Sequence, residues 1–207
     1  MRVLILSFLI VFADQTAKLF IKGGSFPALG ISLRGLPYGS SRPLLGNFLR
    51  LTYIENPGMA FGIDIGGKLF FSLFSIVASA AIVAYLYHAR KESLGFRLSL
   101  AMILGGALGN LIDRVFYGII FGDAPLFYGR VVDFLDMNFF DINIFGYQLT
   151  RWPVFNIADA AVTTGVLLLL FFHRSAGVGE GAGARPPYTS GPAGEAAGDG
   201  QGTRMQK

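Results

Sequence analysis

An apolar segment that ends in polar residues is the feature that most constrains this chain. The stretch GGALGNLIDR places Asn110, Asp113 and Arg114 at spacings of three and four, on one face of a helix. A second Asn-x-x-Asp face, Asn156 and Asp159, opens the last apolar segment. Such groups at membrane depth are costly and face a protein interior or a water-filled cavity. The two faces therefore predict one buried polar site.

The composition is that of a membrane protein. Of 207 residues, 53% are hydrophobic and only 14% are charged, with a mean hydropathy of +0.54. A soluble domain carries roughly a quarter charged residues, so lipid is expected to cover the apolar surplus. The net charge of +4 is spread over segment ends, which argues against a nucleic-acid-binding stripe. The absence of cysteine excludes disulfides and thiol nucleophiles.

We predict an all-α membrane protein with four transmembrane helices and a small extracytoplasmic subdomain that contains β structure. The spans are residues 2–22, 68–88, 98–115 and 153–172, within one domain of residues 1–174. The connections are 23–67 and 116–152, and alternation over 47–56 predicts a strand in the first of them. Residues 175–207 are rich in Gly, Ala and Pro, which predicts a disordered tail.

The first segment has two interpretations, a cleaved signal peptide or an uncleaved transmembrane helix. Asp14 and Lys18 lie inside its apolar core and no small-x-small cleavage pattern is nearby, which favours the helix. Asp14 and Lys18 are one turn apart, so they either pair with each other or serve the polar site. Gly105 and Gly109 form a small-xxx-small pair, which predicts close approach of a neighbouring helix.

The short loops predict the orientation. The basic link 88–97 and the basic end at 173–174 lie on one side, together with the N-terminus, and the positive-inside rule makes that side cytoplasmic. Both termini are then cytoplasmic, and both long connections are outside. The polar residues of the helices consequently converge near the outer leaflet, close to the connection that carries Asp133.

The side-chain inventory narrows the chemistry. His88 and His173 lie at cytoplasmic helix ends, which argues against a Ser-His triad or a zinc site. Four carboxylates remain, and two of them held close together would share a proton and work as an aspartic-protease pair. The residues alone do not decide which two; the four are Asp14, Asp113, Asp133 and Asp159.

Two other functions fit the same acids. A small proton- or ion-coupled carrier would use them as a relay, and a purely structural membrane protein would use Asp–Arg and Asp–Lys pairs to fix helix packing. A carrier needs acids that continue to the cytoplasmic side, and the inner halves of the predicted helices contain none. The sequence therefore favours the protease.

Five ordered motifs carry a family resemblance. They are Asp14-Gln15-Thr16-Ala17-Lys18, Asn56-Pro57-Gly58-Met59-Ala60-Phe61-Gly62, GGALGNLIDR, VVDF at 131–134, and Phe155-Asn156-Ile157-Ala158-Asp159. Over residues 1–174 the chain resembles lipoprotein signal peptidase, or signal peptidase II. This is a bacterial inner-membrane aspartic protease that removes signal peptides from diacylglyceryl-modified prolipoproteins, cutting before the lipidated cysteine.

The resemblance implies site residues and partners. Asp133 and Asp159 would form the catalytic dyad, and the partners would be prolipoprotein substrates and membrane lipid. We expect a monomer that needs no metal or cofactor. Supporting or substrate-binding roles would fall to Asp14, Lys18, Asn56, Gly58, Gly105, Gly109, Asn110, Asp113, Arg114, Asn156 and Ala158.

The chain departs from the family pattern between the NLIDR-like and VVDF-like motifs. The family usually has only a few residues there, whereas here residues 116–130 intervene. This insertion makes Asp123 a rival to Asp133. Asp136 and Asp141 lack a motif context, and we expect them to be solvated loop charges.

Overall fold

Four helices form the frame of the protein in a computed structural model, which describes residues 2–60, 63–64, 67–138, 142–144, 147–149 and 151–179. They are α1 (Leu4–Lys22), α2 (Gly67–His88), α3 (Leu94–Ile112) and α5 (Ile157–Gly179). Helix α3 is central, since it packs against each of the other three. The four helices confirm the mostly helical architecture that the sequence predicts.

Small residues allow α3 to approach its neighbours closely. A Cβ on Gly105 would lie 3.0 Å from the Ser7 backbone of α1, and one on Gly106 would lie 2.2 Å from the Ala158 carbonyl oxygen of α5. A Cβ on Gly109 would meet both the Asp14 carboxylate, at 2.8 Å, and the Ala158 side chain, at 3.1 Å. The close approach expected for Gly105 and Gly109 is therefore present, and Gly106 contributes as much.

The third span is longer than predicted at both ends. It begins at Leu94, where the Ser93 hydroxyl caps the helix by accepting from the Phe96 amide at 3.2 Å. It does not end at 115, because a π-helical turn (Asp113–Tyr117) leads directly into α4 (Gly118–Phe121). Of the polar residues that suggested a helix end, Asn110 and Asp113 are buried and Arg114 is half-buried within the helix assembly.

The fourth span is displaced along the chain. The prediction placed it at 153–172, but α5 begins at Ile157, because Phe155 still bridges Leu135 in an extended conformation. It continues to Gly179, so residues 175–179 are helical where a disordered tail was expected. The rest of the predicted tail, 180–207, lies outside the described residues.

In the described part of the chain, three helical stretches are long and apolar enough to cross a membrane. They cover Leu4–Lys22, Gly67–Lys91 and Leu94–Phe121, and the apolar part of α5, Ile157–Phe172, is shorter. A cluster of apolar side chains joins the start of α1, the end of α2 and the first half of α3 (Val3, Leu86, Ala89, Leu100, Ala101 and Leu104). We call the opposite end of the frame, where α1 finishes, the Lys22 end.

Antiparallel strands occupy the two long connections. A three-stranded sheet has the order β3 (Ser41–Leu45), β4 (Leu49–Asn56), β7 (Val131–Met137), and its β4 confirms the predicted strand. The other strands among the described residues form three hairpins: β1 (Gly24–Phe26) with β2 (Ile31–Leu33), β5 (Met59–Ala60) with β6 (Ile63–Asp64), and β8 (Ile142–Ile144) with β9 (Tyr147–Leu149). In the sheet, Asp133 of β7 lies opposite Ile54 of β4.

The insertion folds as a hairpin against the end of the third span. After α4, the chain turns at Gly122, which has a φ of 72°, and runs back beside the π-helical turn. The Phe127 amide donates to the Val115 carbonyl at 3.1 Å, and the Gly129 amide donates to the Arg114 carbonyl at 2.9 Å. We call residues 118–129 the return hairpin; it delivers the chain to β7.

Candidate active site

Lys18 is the centre of a buried polar cluster. Its ammonium group lies 2.8 Å from Asp14 Oδ2 and 2.7 Å from Asp113 Oδ2, and it donates to Asn110 Oδ1 at 3.0 Å. The side chains of Lys18, Asp14 and Asp113 are fully buried. All three ammonium protons therefore have acceptors, as a buried cation requires. The expected Asp14–Lys18 pair is present, whereas Asp113 pairs with Lys18 rather than with its neighbour Arg114.

The two buried acids hold backbone as well as Lys18. Asp14 Oδ1 accepts from the Ala158 amide, in the first turn of α5, at 2.9 Å. Asp113 Oδ2 accepts from the Val132 amide of β7 at 3.1 Å. Charge-assisted bonds of this kind are about twice as strong as neutral ones. Asp14 and Asp113 thus fix α5 and β7, the two elements that carry the candidate dyad.

Asp159 is held by the start of its own helix. Asn156 is the N-cap of α5: its Oδ1 accepts from the Asp159 amide at 2.9 Å, while Asp159 Oδ2 accepts from the Asn156 amide at 3.3 Å. This reciprocal pair is a capping box, which explains the spacing of three. The geometry fixes the Asp159 carboxylate at the helix N-terminus.

Two asparagines connect Asp159 to Asp133. Asn110 Nδ2 donates to Asp159 Oδ1 at 2.7 Å, and Asn156 Nδ2 donates to Asp133 Oδ1 at 2.7 Å. The asparagines also bond to each other, from Asn156 Nδ2 to Asn110 Oδ1 at 3.0 Å. An unbroken hydrogen-bonded path therefore joins the two carboxyl groups and runs on from Asn110 to Lys18. The spacing of the motifs predicted this convergence.

Asp133 is in a position that favours protonation. Its side chain is 3% exposed on β7, and burial followed by the negative charge of Asp159 raises its pKa to about 7. Among the described residues, Asp133 Oδ2 accepts no hydrogen bond, so this oxygen is available to carry a proton. Of these two acids, Asp133 is therefore the one better placed to hold a proton.

Arg114 places an incompletely used cation beside the acids. It interacts electrostatically with Asp113, Asp159 and Asp133. Its Nη1 reaches Ser75 Oγ only at 3.5 Å, and its Nε is buried with no hydrogen-bond partner among the described residues. A buried N–H without an acceptor is costly, so Arg114 has capacity to bind a carbonyl of another molecule.

The motif at 56–62 lies on the edge of this arrangement. Asn56 ends β4 opposite Val131, and its Oδ1 accepts from the Gly58 amide at 2.9 Å in a turn. Gly58 has a φ of 107°, and a Cβ there would lie 2.9 Å from the Phe71 ring of α2. A side chain at this position is therefore excluded by conformation and by space. Residues 61–62 lie outside the described part of the chain.

The other acids of the two connections are positioned differently. Asp123 is 48% exposed and forms a salt bridge with Lys22 at the last residue of α1, with 3.3 Å between Asp123 Oδ2 and Lys22 Nζ. Asp136 was expected to be a solvated loop charge, but it is buried on β7. It pairs with Arg151 at 2.7 Å and accepts from the Thr52 hydroxyl at 2.7 Å. Asp141 lies outside the described residues.

Gln15 is a member of the cluster that the sequence analysis did not single out. Its Nε2 donates to Asp113 Oδ1 at 2.8 Å and to the Gly109 carbonyl at 3.0 Å, and its Oε1 accepts from the Tyr117 hydroxyl at 3.0 Å. It therefore orients Asp113 from the side opposite Lys18. An amide within an apolar helix was the available signal, because such groups need internal partners.

A mostly helical membrane protein in which two aspartates are joined by hydrogen bonds through asparagines has the features of a membrane aspartic peptidase. The model of the family described as signal peptidase (SPase) II matches residues 6–174. The lipoprotein signal peptidase of Chlorobaculum parvum is 37% identical over 169 residues, which cover 82% of this chain and 92% of that protein. That of Moorella thermoacetica is 38% identical over 170 residues, covering 82% and 90%.

Solved structures agree with the sequence comparisons. A bacterial membrane enzyme determined by the in meso method at 2.3 Å resolution has a TM-score of 0.62 and 29% identity, covering 91% of this chain and 94% of that one. The chain belongs to the signal peptidase II family. It is therefore an aspartic peptidase of a bacterial membrane that cleaves the signal peptides of prolipoproteins.

Proposed function

We propose that Asp133 and Asp159 are the catalytic dyad of this peptidase. The observation that carries the proposal is the hydrogen-bonded path Asp133–Asn156–Asn110–Asp159, which joins the two carboxyl groups through two asparagines. The other buried acids of the cluster, Asp14 and Asp113, both contact Lys18 directly. Both also accept hydrogen bonds from backbone amides, so we assign them a structural role and assign the proton transfers to Asp133 and Asp159.

The pair works as a base and an acid. Asp159, as carboxylate, takes a proton from a water whose oxygen attacks the scissile carbonyl carbon, while the proton on Asp133 passes to the carbonyl oxygen. The resulting tetrahedral diol collapses when the C–N bond breaks and the leaving nitrogen takes a proton from Asp159. A proton from the second diol hydroxyl then returns to Asp133. The products are a carboxylic acid and an amine.

The dyad faces the extracytoplasmic side in this proposal. Arg90 and Lys91 end the α2 segment and Arg97 lies in the first turns of α3, at the end of the frame opposite Lys22. Basic residues concentrate on the cytoplasmic side of membrane proteins. The Lys22 end, with the sheet and the dyad, is then outside, where exported prolipoproteins present their signal peptides.

The substrate we propose is a diacylglyceryl-modified prolipoprotein, cut before its lipidated cysteine. Arg114 would bind a backbone carbonyl near the scissile bond, because its guanidinium has unused donors beside the dyad. The test is cleavage by the purified protein of one prolipoprotein, with and without its diacylglyceryl group. We expect only the modified form to be cut at that bond; equal cleavage of both forms would contradict the substrate proposal.

The rate of cleavage is expected to fall as the pH rises through about 7. The raised pKa of Asp133 means that it holds a proton below that pH and loses it above. With both acids ionised, no group remains to protonate the carbonyl oxygen, so kcat/KM should fall about tenfold per pH unit well above the pKa. Initial rates measured between about pH 5.5 and 9 check this; a rate that stays constant over that range would contradict it.

A further inference from the structure

The return hairpin belongs to a connection that was expected to be extracytoplasmic. In the structure it lies beside the last turns of the third span. Helix α1 has 19 residues and is about 29 Å long, close to the roughly 30 Å of the hydrocarbon core. The ends of α1 therefore lie near the two boundaries of the lipid. Lys22 Nζ lies 4.5 Å from the centre of the Phe121 ring and 3.3 Å from Asp123 Oδ2. The tip of the hairpin is thus level with the lipid boundary.

From that tip the chain runs back along the helix. The Gly129 amide bonds to the Arg114 carbonyl, seven residues before Phe121, which is about 10 Å along a helix axis. A Cβ on Gly129 would lie 2.1 Å from the Asp113 carbonyl oxygen, so the contact is as close as a glycine permits. The descending half of the hairpin therefore lies at the depth of the buried acids.

The outer surface of the hairpin is apolar. Ile119 is 56% exposed, Ile120 49%, Leu126 39% and Tyr128 40%, and Asp123 is the one charged residue of the sequence GIIFGDAPLFYG. This surface continues that of the membrane-spanning helix, where Phe116 is 49% exposed.

Most backbone amides of the hairpin are hydrogen-bonded to carbonyls of the protein, as an environment without water requires. Non-helical backbone at membrane depth is tolerated only when its polar groups are satisfied internally. The amides of residues 122, 123, 124, 127, 128 and 129 donate to backbone carbonyls, and Pro125 has no N–H, so the Leu126 amide is the one amide of residues 122–129 without a backbone acceptor among the described residues. The Phe127 carbonyl accepts from the Ser72 hydroxyl of α2 at 2.9 Å, although Phe127 has a φ of 68° that residues with a side chain rarely adopt.

We propose that the return hairpin is immersed in the lipid leaflet at the Lys22 end, with Ile119, Ile120 and Leu126 in contact with phospholipid acyl chains. Its depth, its apolar exposed surface and its mostly paired backbone amides all fit this occupant. Gly129 contacts the Asp113 backbone and β7 begins two residues later. The immersed hairpin therefore also sets the depth of Asp133 relative to the membrane. The inference does not depend on which residues are catalytic.

The chain has no cysteine, so single labels can test this inference directly. Leu126→Cys and Ile120→Cys, each carrying an NBD fluorophore, are placed in phosphatidylcholine vesicles with or without doxyl-labelled acyl chains. Val77→Cys, 68% exposed in the middle of α2, is the lipid control, and Glu92→Cys, exposed in the link before α3, is the aqueous control.

We expect both hairpin probes to behave as the Val77 probe does, with blue-shifted emission that doxyl lipid quenches and aqueous iodide does not. Quenching by iodide, as at Glu92, would overturn the proposal in favour of a water-exposed loop. Shielding from both quenchers that is lost on dilution into excess lipid would overturn it in favour of contact with a second copy. If Leu126→Cys does not fold, the Ile120 probe distinguishes the same three outcomes.

Discussion

Replacement of either Asp133 or Asp159 by asparagine is expected to reduce prolipoprotein cleavage by about 10²–10⁴-fold, the usual contribution of a positioned acid or base. Asparagine keeps the size of the side chain, and its Oδ1 can still accept from Asn156 Nδ2 at 133 or from Asn110 Nδ2 at 159. The fold should therefore persist while the proton transfers are lost. Initial rates on a diacylglyceryl-modified prolipoprotein measure the effect.

The matched control is Asp123→Asn. Asp123 is the rival acid that the insertion supplies, and it is half-exposed and paired with Lys22. We expect this variant to cleave at close to the rate of the unmodified protein. A folded Asp133→Asn variant that keeps its activity would refute the dyad. Loss of activity in Asp123→Asn alone would identify Asp123, in the insertion, as the second catalytic acid. Thermal unfolding of each variant separates loss of chemistry from loss of fold.

The largest effect on stability is expected for Lys18→Met. The substitution keeps an unbranched side chain but leaves Asp14 and Asp113, both fully buried, without their shared cation. Breaking a buried ion pair on one side costs about 3–5 kcal/mol in the free energy of unfolding. We expect a correspondingly lower unfolding midpoint, measured on the purified protein in one detergent or lipid.

Two further variants make the Lys18 prediction specific. Lys91→Met is the same substitution at an exposed position and should change stability little. Addition of Asp14→Asn and Asp113→Asn to Lys18→Met removes the stranded charges and should restore part of the lost stability. If the triple variant is no more stable than Lys18→Met, the cost lies in packing and the electrostatic account is wrong.

The sequence predicted the helices because length and hydropathy are local properties, but it misplaced the ends of two of them. Asn110, Asp113 and Arg114 looked like the end of the third span because polar residues usually follow a membrane helix. Here tertiary partners bury Asn110 and Asp113 and half-bury Arg114, and the helical segment continues to Phe121. The start of α5 was placed too early because the β bridge of Phe155 to Leu135 depends on a strand distant in sequence.

The sequence predicted which side chains meet in the candidate site better than it predicted the contacts between them. Helical spacing alone joined Asn156 to Asp159, since a capping box is a local motif. The choice of Asp133 over Asp14 and Asp113 required the family resemblance, because only the fold reveals that Asp113 joins Asp14 at Lys18. Asp136 looked solvated for the same reason: its partners, Arg151 and Thr52, come from other parts of the chain.

The position of Lys18 one turn after Asp14 has a consequence for biogenesis. Helix α1 precedes α3 in the chain and is therefore synthesised before Asp113 and Asn110 are available. A lone lysine or aspartate at this depth would oppose entry into the bilayer, whereas the two together form an intrahelical pair with no net charge. The helix thus carries its own temporary counterion, and Lys18 completes its three bonds only when the later helices arrive. The same ion pair that lowers the cost of inserting α1 thus becomes, in the folded protein, the centre of the buried polar cluster.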